Sequence, residues 1–255
     1  MTYSPEMQIP GGVGHATGAS SLGHMPDGKW AFDESVTSVF GDMLARSIPQ
    51  LSLMRELVFE VACRFVQPGT HVLDLGCSLG ESLVPLVSRF GSTNRFVGIE
   101  VSAPMLAACR ERFHDLIETG VVEIREQDLR APYPEEQASV TLCILALMFT
   151  PIEHRFRILN DVFTHTRPGG ALVIVEKVLG GDARTDAVLV DLYHQHKRAV
   201  GYTQEEIDRK RLALEGVLVP VTAAWNEQLL RGAGFSHVEC FWRSLNFCGW
   251  LAIKA

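Results

Sequence analysis

The segment His71–Ser82, HVLDLGCSLGES, concentrates residues whose types and spacing suggest chemistry. Gly76-Cys77-Ser78-Leu79-Gly80 spells Gly-x-Ser-x-Gly, the pattern that sets a nucleophilic serine on a sharp strand-to-helix turn. The same stretch also ends an apolar strand with an acid, Asp74, and a glycine-rich loop, as a nucleotide-binding unit does. Either Ser78 attacks a substrate, or its loop holds a ligand.

The surrounding residues separate the two. A nucleophile of the α/β-hydrolase kind follows several strands, with an oxyanion loop upstream and Asp then His downstream. Here the motif follows the first strand of the series, and Asp74 has no part in such a turn. In a ligand-binding reading every residue has a role. The strand delivers Asp74 to the carboxyl edge of the sheet, and Gly76 and Gly80 permit tight turning and close backbone approach. The helix expected from Glu81 opens with free N–H groups. Glu100 ends the next strand, where a carboxylate can accept hydrogen bonds from both hydroxyls of a ribose.

A diphosphate loop places glycine where Ser78 stands. An acid beside the loop suits a cation better than a diphosphate, and S-adenosylmethionine brings a sulfonium, an ammonium and a ribose without phosphate. Asp128 and Leu129, just after the third strand, are placed to frame its adenine; as a turn residue before Pro132, Asp128 has a plain structural reading too.

Strands and helices alternate around these residues. Helical periodicity covers Asp33–Met43 and Ser52–Phe65, with a turn at Gln67-Pro68-Gly69. Strands are expected at His71–Leu75, Arg95–Val101, Val121–Glu126, Val140–Phe149 and Ala171–Val178. Helices are expected at Glu81–Arg89, Pro104–Ile117 capped by Ser102, and Ile152–Thr166, with Pro168-Gly169-Gly170 as a turn. This rhythm predicts an α/β fold with a mostly parallel sheet and helices on both faces. Residues 182–219 read as a helical insertion of two helices broken at Gly201-Tyr202, the second opened by a Thr203/Glu206 capping box. A helix at Ala224–Gly232 precedes His237–Ser244 and Phe247–Lys254, a hairpin that makes one C-terminal strand antiparallel. Residues 1–28, rich in Gly, Pro, Ser and Met, read as a flexible leader or lid, and 29–255 as a single domain.

Composition narrows the function. A net charge of −7 without a Lys/Arg block argues against direct nucleic-acid binding. No apolar run approaches the length of a membrane span, which with the absence of a signal-peptide pattern predicts a cytoplasmic protein. Six cysteines without Cys-x-x-Cys spacing and nine histidines without a His-x-x-x-His pair predict free thiols and no metal site.

Strand order, DLGCSLG and IEVSAPML together resemble a class I S-adenosylmethionine-dependent methyltransferase, a Rossmann-like fold. Narrower segments, WAFDESVTSVFGDMLARSIP (30–49), RFVQPGTHVLDLGCSLG (64–80), RPGGALVIVEK (167–177) and HKRAVGYTQEEIDRKRLALEGVL (196–218), are similar to carboxy-S-adenosylmethionine synthase, as is the C-terminal tail. That resemblance implies an enzyme that converts S-adenosylmethionine and the small molecule prephenate into carboxy-S-adenosylmethionine and phenylpyruvate, working as a homodimer or higher homo-oligomer. It implies cofactor contacts at Gly76, Cys77 and Ser78, at Glu100 and Val101, and at Asp128 and Leu129. The family has Asp where this chain has Glu100, an exchange either carboxylate tolerates.

The resemblance also implies that Arg211 binds the added carboxylate. From the sequence alone, Ile207, Arg211, Leu214 and Leu218 share one helix face, and an arginine in an apolar stripe needs an anion, a Glu215 partner or a route to solvent. Two positions depart from the family: Leu51 stands at a ligand-contacting tyrosine and Ile144 at an asparagine ending the fourth strand. Both make the expected pocket more apolar and put carboxyl transfer in question. The alternatives are alkyl transfer from S-adenosylmethionine, to a small-molecule acceptor or to its own amino group with closure of azetidine-2-carboxylate and release of methylthioadenosine, and catalytically silent binding. Tyr202, His194 and His196 are candidate proton acceptors.

Overall fold

A computed structural model describes residues 28–255. The leader expected over 1–28 lies outside the described residues except for Gly28. The chain runs α1 (Glu34–Ser47), α2 (Leu51–Cys63), β1 (His71–Leu75), α3 (Leu83–Phe90), β2 (Arg95–Glu100), α4 (Ala103–Arg112), α5 (His114–Glu118), β3 (Val122–Glu126) and β4 (Ala138–Ile144). It continues through α6 (Ile152–His165), β5 (Thr166–Leu179), α7 (Ala183–Ala199), α8 (Gln204–Leu214), β6 (Val221–Thr222), α9 (Ala223–Gly232), β7 (His237–Ser244) and β8 (Phe247–Ile253).

The main sheet has the order β3-β2-β1-β4-β5-β8-β7. β1 to β5 run parallel, and β8 runs antiparallel between β5 and β7, so a single strand is reversed as expected. Alternate side chains of the central strands feed two cores. Val72, Val140, Leu142, Val173 and Val175 pack on one face with α2, α3 and α4 residues such as Met54, Leu86 and Leu106. Leu73, Leu75, Cys143, Leu172 and Ile174 pack on the other with Ile158 and Val162 of α6 and Leu230 of α9. A third cluster joins Val36, Phe40 and Met43 of α1 to Met105 and to Ala213 of α8, so α1 and α8 are held together above the sheet edge.

Side-chain caps fix where the helices start. Asp33 accepts the Val36 N–H at 2.9 Å, and Ser102 caps α4 by accepting from Met105 at 3.4 Å. The capping box at α8 is complete: Glu206 N–H donates to Thr203 Oγ1 at 3.2 Å, and Thr203 N–H donates to Glu206 Oε2 at 2.7 Å.

Several boundaries differ from expectation. β4 stops at Ile144, not Phe149, because Leu145 takes φ +59° and the chain turns into a 3-10 segment at Leu147–Phe149. The apolar run continues past the strand because that turn is itself buried. Phe113 divides the helix expected over 104–117. The Pro168–Gly170 turn survives as a bulge inside β5, whose register against β4 shifts there while Gly169 takes φ +72°. Leu218 lies beyond α8, which Gly216 at φ +74° follows.

Candidate functional site

The connection reverses direction beside β1: β2 and β3 extend the sheet on one side, β4 and β5 on the other. Open parallel sheets form their binding crevice outside the carboxyl ends at such a point. Here the approach is close. A Cβ on Gly76 would lie 2.6 Å from Cβ of Ala146, and Gly76 itself takes φ +76°, so glycine is required where the loops after β1 and β4 meet. Gly76 and Cys77 donate their N–H groups to the Ile99 carbonyl at 2.8 and 2.9 Å, which lashes the glycine loop to β2.

Glu100 organises the backbone at the end of β2. Its Oε2 accepts the Ser78 N–H at 3.0 Å, and its Oε1 accepts the N–H groups of Val101 and Ser102 at 2.8 and 2.9 Å. Gln127 N–H donates to the Glu100 carbonyl at 2.9 Å, so the ends of β2 and β3 stay in step. Beyond them, Asp128 accepts the Arg130 N–H at 2.8 Å and pairs with its guanidinium, which holds the Asp128 carboxyl below its usual range. That turn is the structural role read from the sequence. Arg157 donates to the Leu129 carbonyl at 3.3 Å and fixes the adjoining peptide. Asp74 is buried, and burial, with the nearby Glu100 adding, pushes its carboxyl up to about 7.

A cavity of about 440 Å³ opens beside the loop. Among the nominated residues, Asp74, Gly76, Cys77, Ser78, Leu51, Ile144 and Arg211 line it. Glu100, Val101, Asp128 and Leu129 lie outside it, along the β2 and β3 edge, so the nominated set falls into two neighbouring parts. All four residues of the predicted face, Ile207, Arg211, Leu214 and Leu218, border the cavity. Arg211 sits at the rim, however: its side chain is 59% exposed, with Asp208 4.0 Å away. Tyr202 is not a lining residue. It is buried behind the wall, its ring under Arg46, Lys197 and Lys210 and its hydroxyl 3.5 Å from Ser47 Oγ. Of the two histidines, His194 lines the cavity, while His196 Nε2 is buried without a hydrogen-bond partner.

The cations of the cavity wall, Lys197 and Lys210 buried and Lys177 half-buried, are residues that the sequence does not single out. Lys177 of β5, Lys197 of α7 and Lys210 of α8 all line it. The Lys177 and Lys197 ammonium groups lie 5.0 and 4.9 Å from the Tyr193 ring centre, and Lys210 lies 5.2 Å from that of Trp30. Lys210 Nζ also donates to Ser47 Oγ at 3.1 Å, at the carbonyl-rich end of α1. Burial, with neighbouring cations adding, lowers Lys210 to about 7 and Lys197 to about 8. A signal exists: Ile207, Lys210 and Ala213 are the buried i, i+3, i+6 stripe of α8, and Lys210 stands one position before Arg211. Asn246, in the β7–β8 turn, also lines the cavity, and its Oδ1 is buried without a partner.

This arrangement agrees with what the chain resembles. A family model for the methyltransferase domain matches residues 72–170. Carboxy-S-adenosyl-L-methionine synthase of Methylococcus capsulatus is 38% identical over 226 residues, covering 88% of this chain and 93% of that protein. The enzyme of the same name from Escherichia coli K12 is 36% identical over 229 residues, covering 89% and 92%. Among solved structures, an O-methyltransferase family protein from Burkholderia thailandensis superposes with a TM-score of 0.62 at 20% identity, covering 88% of this chain and 61% of that one. Human N-acetylserotonin methyltransferase, solved in complex with SAM, gives 0.57 at 15% identity, covering 87% and 60%; the chain thus spans about three fifths of each neighbour. These neighbours fix the fold as that of the class I methyltransferases. Identity at this level over nearly the whole length goes further: the chain is an S-adenosylmethionine-dependent, transferase-type enzyme and belongs to the carboxy-S-adenosyl-L-methionine synthase family.

Proposed function

We propose that this enzyme converts S-adenosylmethionine and prephenate into carboxy-S-adenosylmethionine, phenylpyruvate and water. The observation that carries the reading is that one cavity joins the glycine loop at Gly76–Ser78 to Arg211, the position at which the family resemblance puts a carboxylate. The residues present suit the substrate. Glu100 offers a carboxylate at the end of β2, and Asp74 a buried acid beside a sulfonium or ammonium.

Bound S-adenosylmethionine supplies an acidic methyl group, whose carbon takes up the CO₂ that prephenate loses as its ring aromatises and its hydroxyl leaves with the methyl proton as water. The protein orients and shields. The glycine loop fixes the adenosyl end through backbone groups, Arg211 holds the new carboxylate, and the apolar wall of Phe40, Met43, Leu51 and Ile144 keeps bulk water from a carbanion. The adenosyl contacts at Val101, Asp128 and Leu129 belong to the same proposal, along the edge beside the cavity.

A second reading rests on Leu51 and Ile144. Both line the cavity, and both replace hydrogen-bonding residues of the family, which favours dispersal of the sulfonium charge by alkyl transfer, including cyclisation with release of methylthioadenosine. Incubation with S-adenosylmethionine, with and without prephenate, followed by mass spectrometry separates the two. A cofactor heavier by one CO₂ only with prephenate supports the first. Methylthioadenosine without prephenate sinks it in favour of cyclisation, and tight binding without turnover favours a silent binder.

A further inference from the structure

We propose that Lys177, Lys197, Lys210 and Asn246 form a second anion site in the cavity, which takes the two carboxylates of a co-substrate dianion and not the methionyl carboxylate of S-adenosylmethionine. The proposal rests on the glycine loop being the adenosyl end of the site. Three ammonium groups from three elements converge on one wall, and among the described residues no carboxylate stands within 4.0 Å of any of them. Buried charge without a counterion is costly, and a fold that needed only packing would place methionine or leucine here.

The wall tolerates the charges without neutralising them. The rings of Tyr193, Tyr202 and Trp30 offer their π faces, and Ser47 offers its hydroxyl to Lys210 while its carbonyl accepts the Tyr193 hydroxyl at 2.9 Å. The other charged groups around the cluster include Arg46 of α1, His194 of α7, Arg211 and Glu215 at the cavity border, and Asp186 of α7, the last acting on Lys177 while its Oδ1 accepts the Gly180 N–H at 2.7 Å. Cations outnumber anions, so the site attracts negative charge before any ligand arrives.

Asn246 points to the same occupant independently. It is 2% exposed, its carbonyl accepts the Val178 N–H at 2.8 Å, and the next residue, Phe247, pairs with Lys177 in the β5–β8 ladder. Its side-chain amide borders the same cavity as Lys177 with Oδ1 buried and unpartnered, and an amide turned about its last bond can donate to a carboxylate. A dianion fits better than a monoanion because three ammonium groups exceed what one carboxylate can neutralise. The ring faces and apolar side chains around them suit a substrate whose two carboxylates branch from one carbon of an unsaturated carbocycle.

The test uses the full chain loaded with S-adenosylhomocysteine, which has no methyl group to react, titrated calorimetrically with prephenate, phenylpyruvate and malonate. Lys177→Met, Lys197→Met and Lys210→Met are each expected to weaken prephenate roughly ten- to hundredfold, as loss of a charge-assisted hydrogen bond does. Affinity for S-adenosylhomocysteine is expected to stay within about twofold, and Lys210→Arg to restore much of the loss. Phenylpyruvate, with one carboxylate, is expected to bind the wild type at least about tenfold more weakly than prephenate.

Unchanged prephenate affinity in all three Met variants overturns the proposal. A parallel fall in S-adenosylhomocysteine affinity also overturns it, by making the methionyl carboxylate the occupant. Lys-dependent malonate binding by a wild type that neither binds nor turns over prephenate keeps the anion site and removes the prephenate reaction. Carboxy-S-adenosylmethionine formation with an unaltered kcat/KM in the Met variants does the reverse. If a Met variant fails to fold by circular dichroism, Lys→Gln at the same position supplies the measurement.

Discussion

The two ends of the site are built on opposite principles. At the sheet edge, the side proposed for the adenosyl group is mostly backbone: N–H groups of Ser78, Val101 and Ser102 gathered on one carboxylate, and glycines at positive φ where the chain closes on itself. At the helical wall, the side proposed for the co-substrate is mostly side chain, with lysines from β5, α7 and α8 set against aromatic rings and the end of α1. A backbone site tolerates little change in conformation and much change in neighbouring side chains. A side-chain site tolerates the reverse, which is why relatives of one fold can keep a cofactor and alter its chemistry.

The sharpest way to break the comparison is Glu100→Ala. It removes the acceptor of three backbone N–H groups together with the expected ribose contact, so affinity for S-adenosylhomocysteine is expected to fall by roughly two to three orders of magnitude in calorimetry. An unchanged Kd removes the ribose assignment.

Next in size is Gly80→Ala. The new Cβ would lie 2.4 Å from the Phe113 ring and would sit on a residue at φ +76°, so a loss of about 2–4 kcal/mol is expected in urea unfolding. A loss below about 0.5 kcal/mol shows that the loop yields to the added methyl and is not rigid.

Lys210→Met probes the other end and is expected to stabilise the ligand-free protein by about 2 kcal/mol at neutral pH, because a buried, unpaired ammonium is replaced by an apolar side chain. The sign follows from linkage. Lys210 is held at about 7, below the ordinary lysine range, so the folded state binds fewer protons than the unfolded state between those values. The penalty is full below about pH 7 and is relieved as pH rises toward the ordinary lysine value, so the variant's advantage shrinks over that window. Asp74 and Glu176, raised by burial to about 7 and about 8, act with the opposite sign at lower pH, so the variant-minus-wild-type difference is the quantity to measure. An advantage that grows with pH refutes the assignment.

The smallest effect concerns Asp74. A carboxyl raised to about 7 is mostly protonated at pH 6 and ionised at pH 8, and a bound cation favours the ionised form. Affinity for S-adenosylmethionine is expected to rise several-fold from pH 6 to pH 8, with Asp74→Asn flattening the dependence. A wild-type affinity independent of pH over that range separates Asp74 from the cationic end of the substrate.

Much of the sheet edge around the glycine loop is legible in the sequence. His71–Leu75 forms the first strand over the full expected span, Ser102 and Thr203 cap their helices as their neighbours demand, and the hairpin at the end does reverse one strand. Each of these depends on residues a few positions apart. The helical wall is less legible. Periodicity finds the α8 face and its Arg211, which stands at the rim, but not that Lys210 beside it is the buried cation. Tyr202, a candidate proton acceptor by sequence, lies behind the wall as a surface for the cations.

What the sequence alone determined is the alternation of strands and helices, the glycine loop with its acids, and the family; these are local, because hydrogen bonding within a turn or cap acts over a few residues. What only the tertiary structure decided is that Lys177, Lys197, Lys210 and Asn246 share one cavity. Lys197 and Lys210 lie in charge-rich helical stretches whose spacing suits a solvated face as well as a buried one, and Lys177 and Asn246 meet through strand pairing. Which lysine turns inward is set by how α1, α7 and α8 pack on the sheet edge, a sum of many weak long-range contacts that no short stretch of sequence contains.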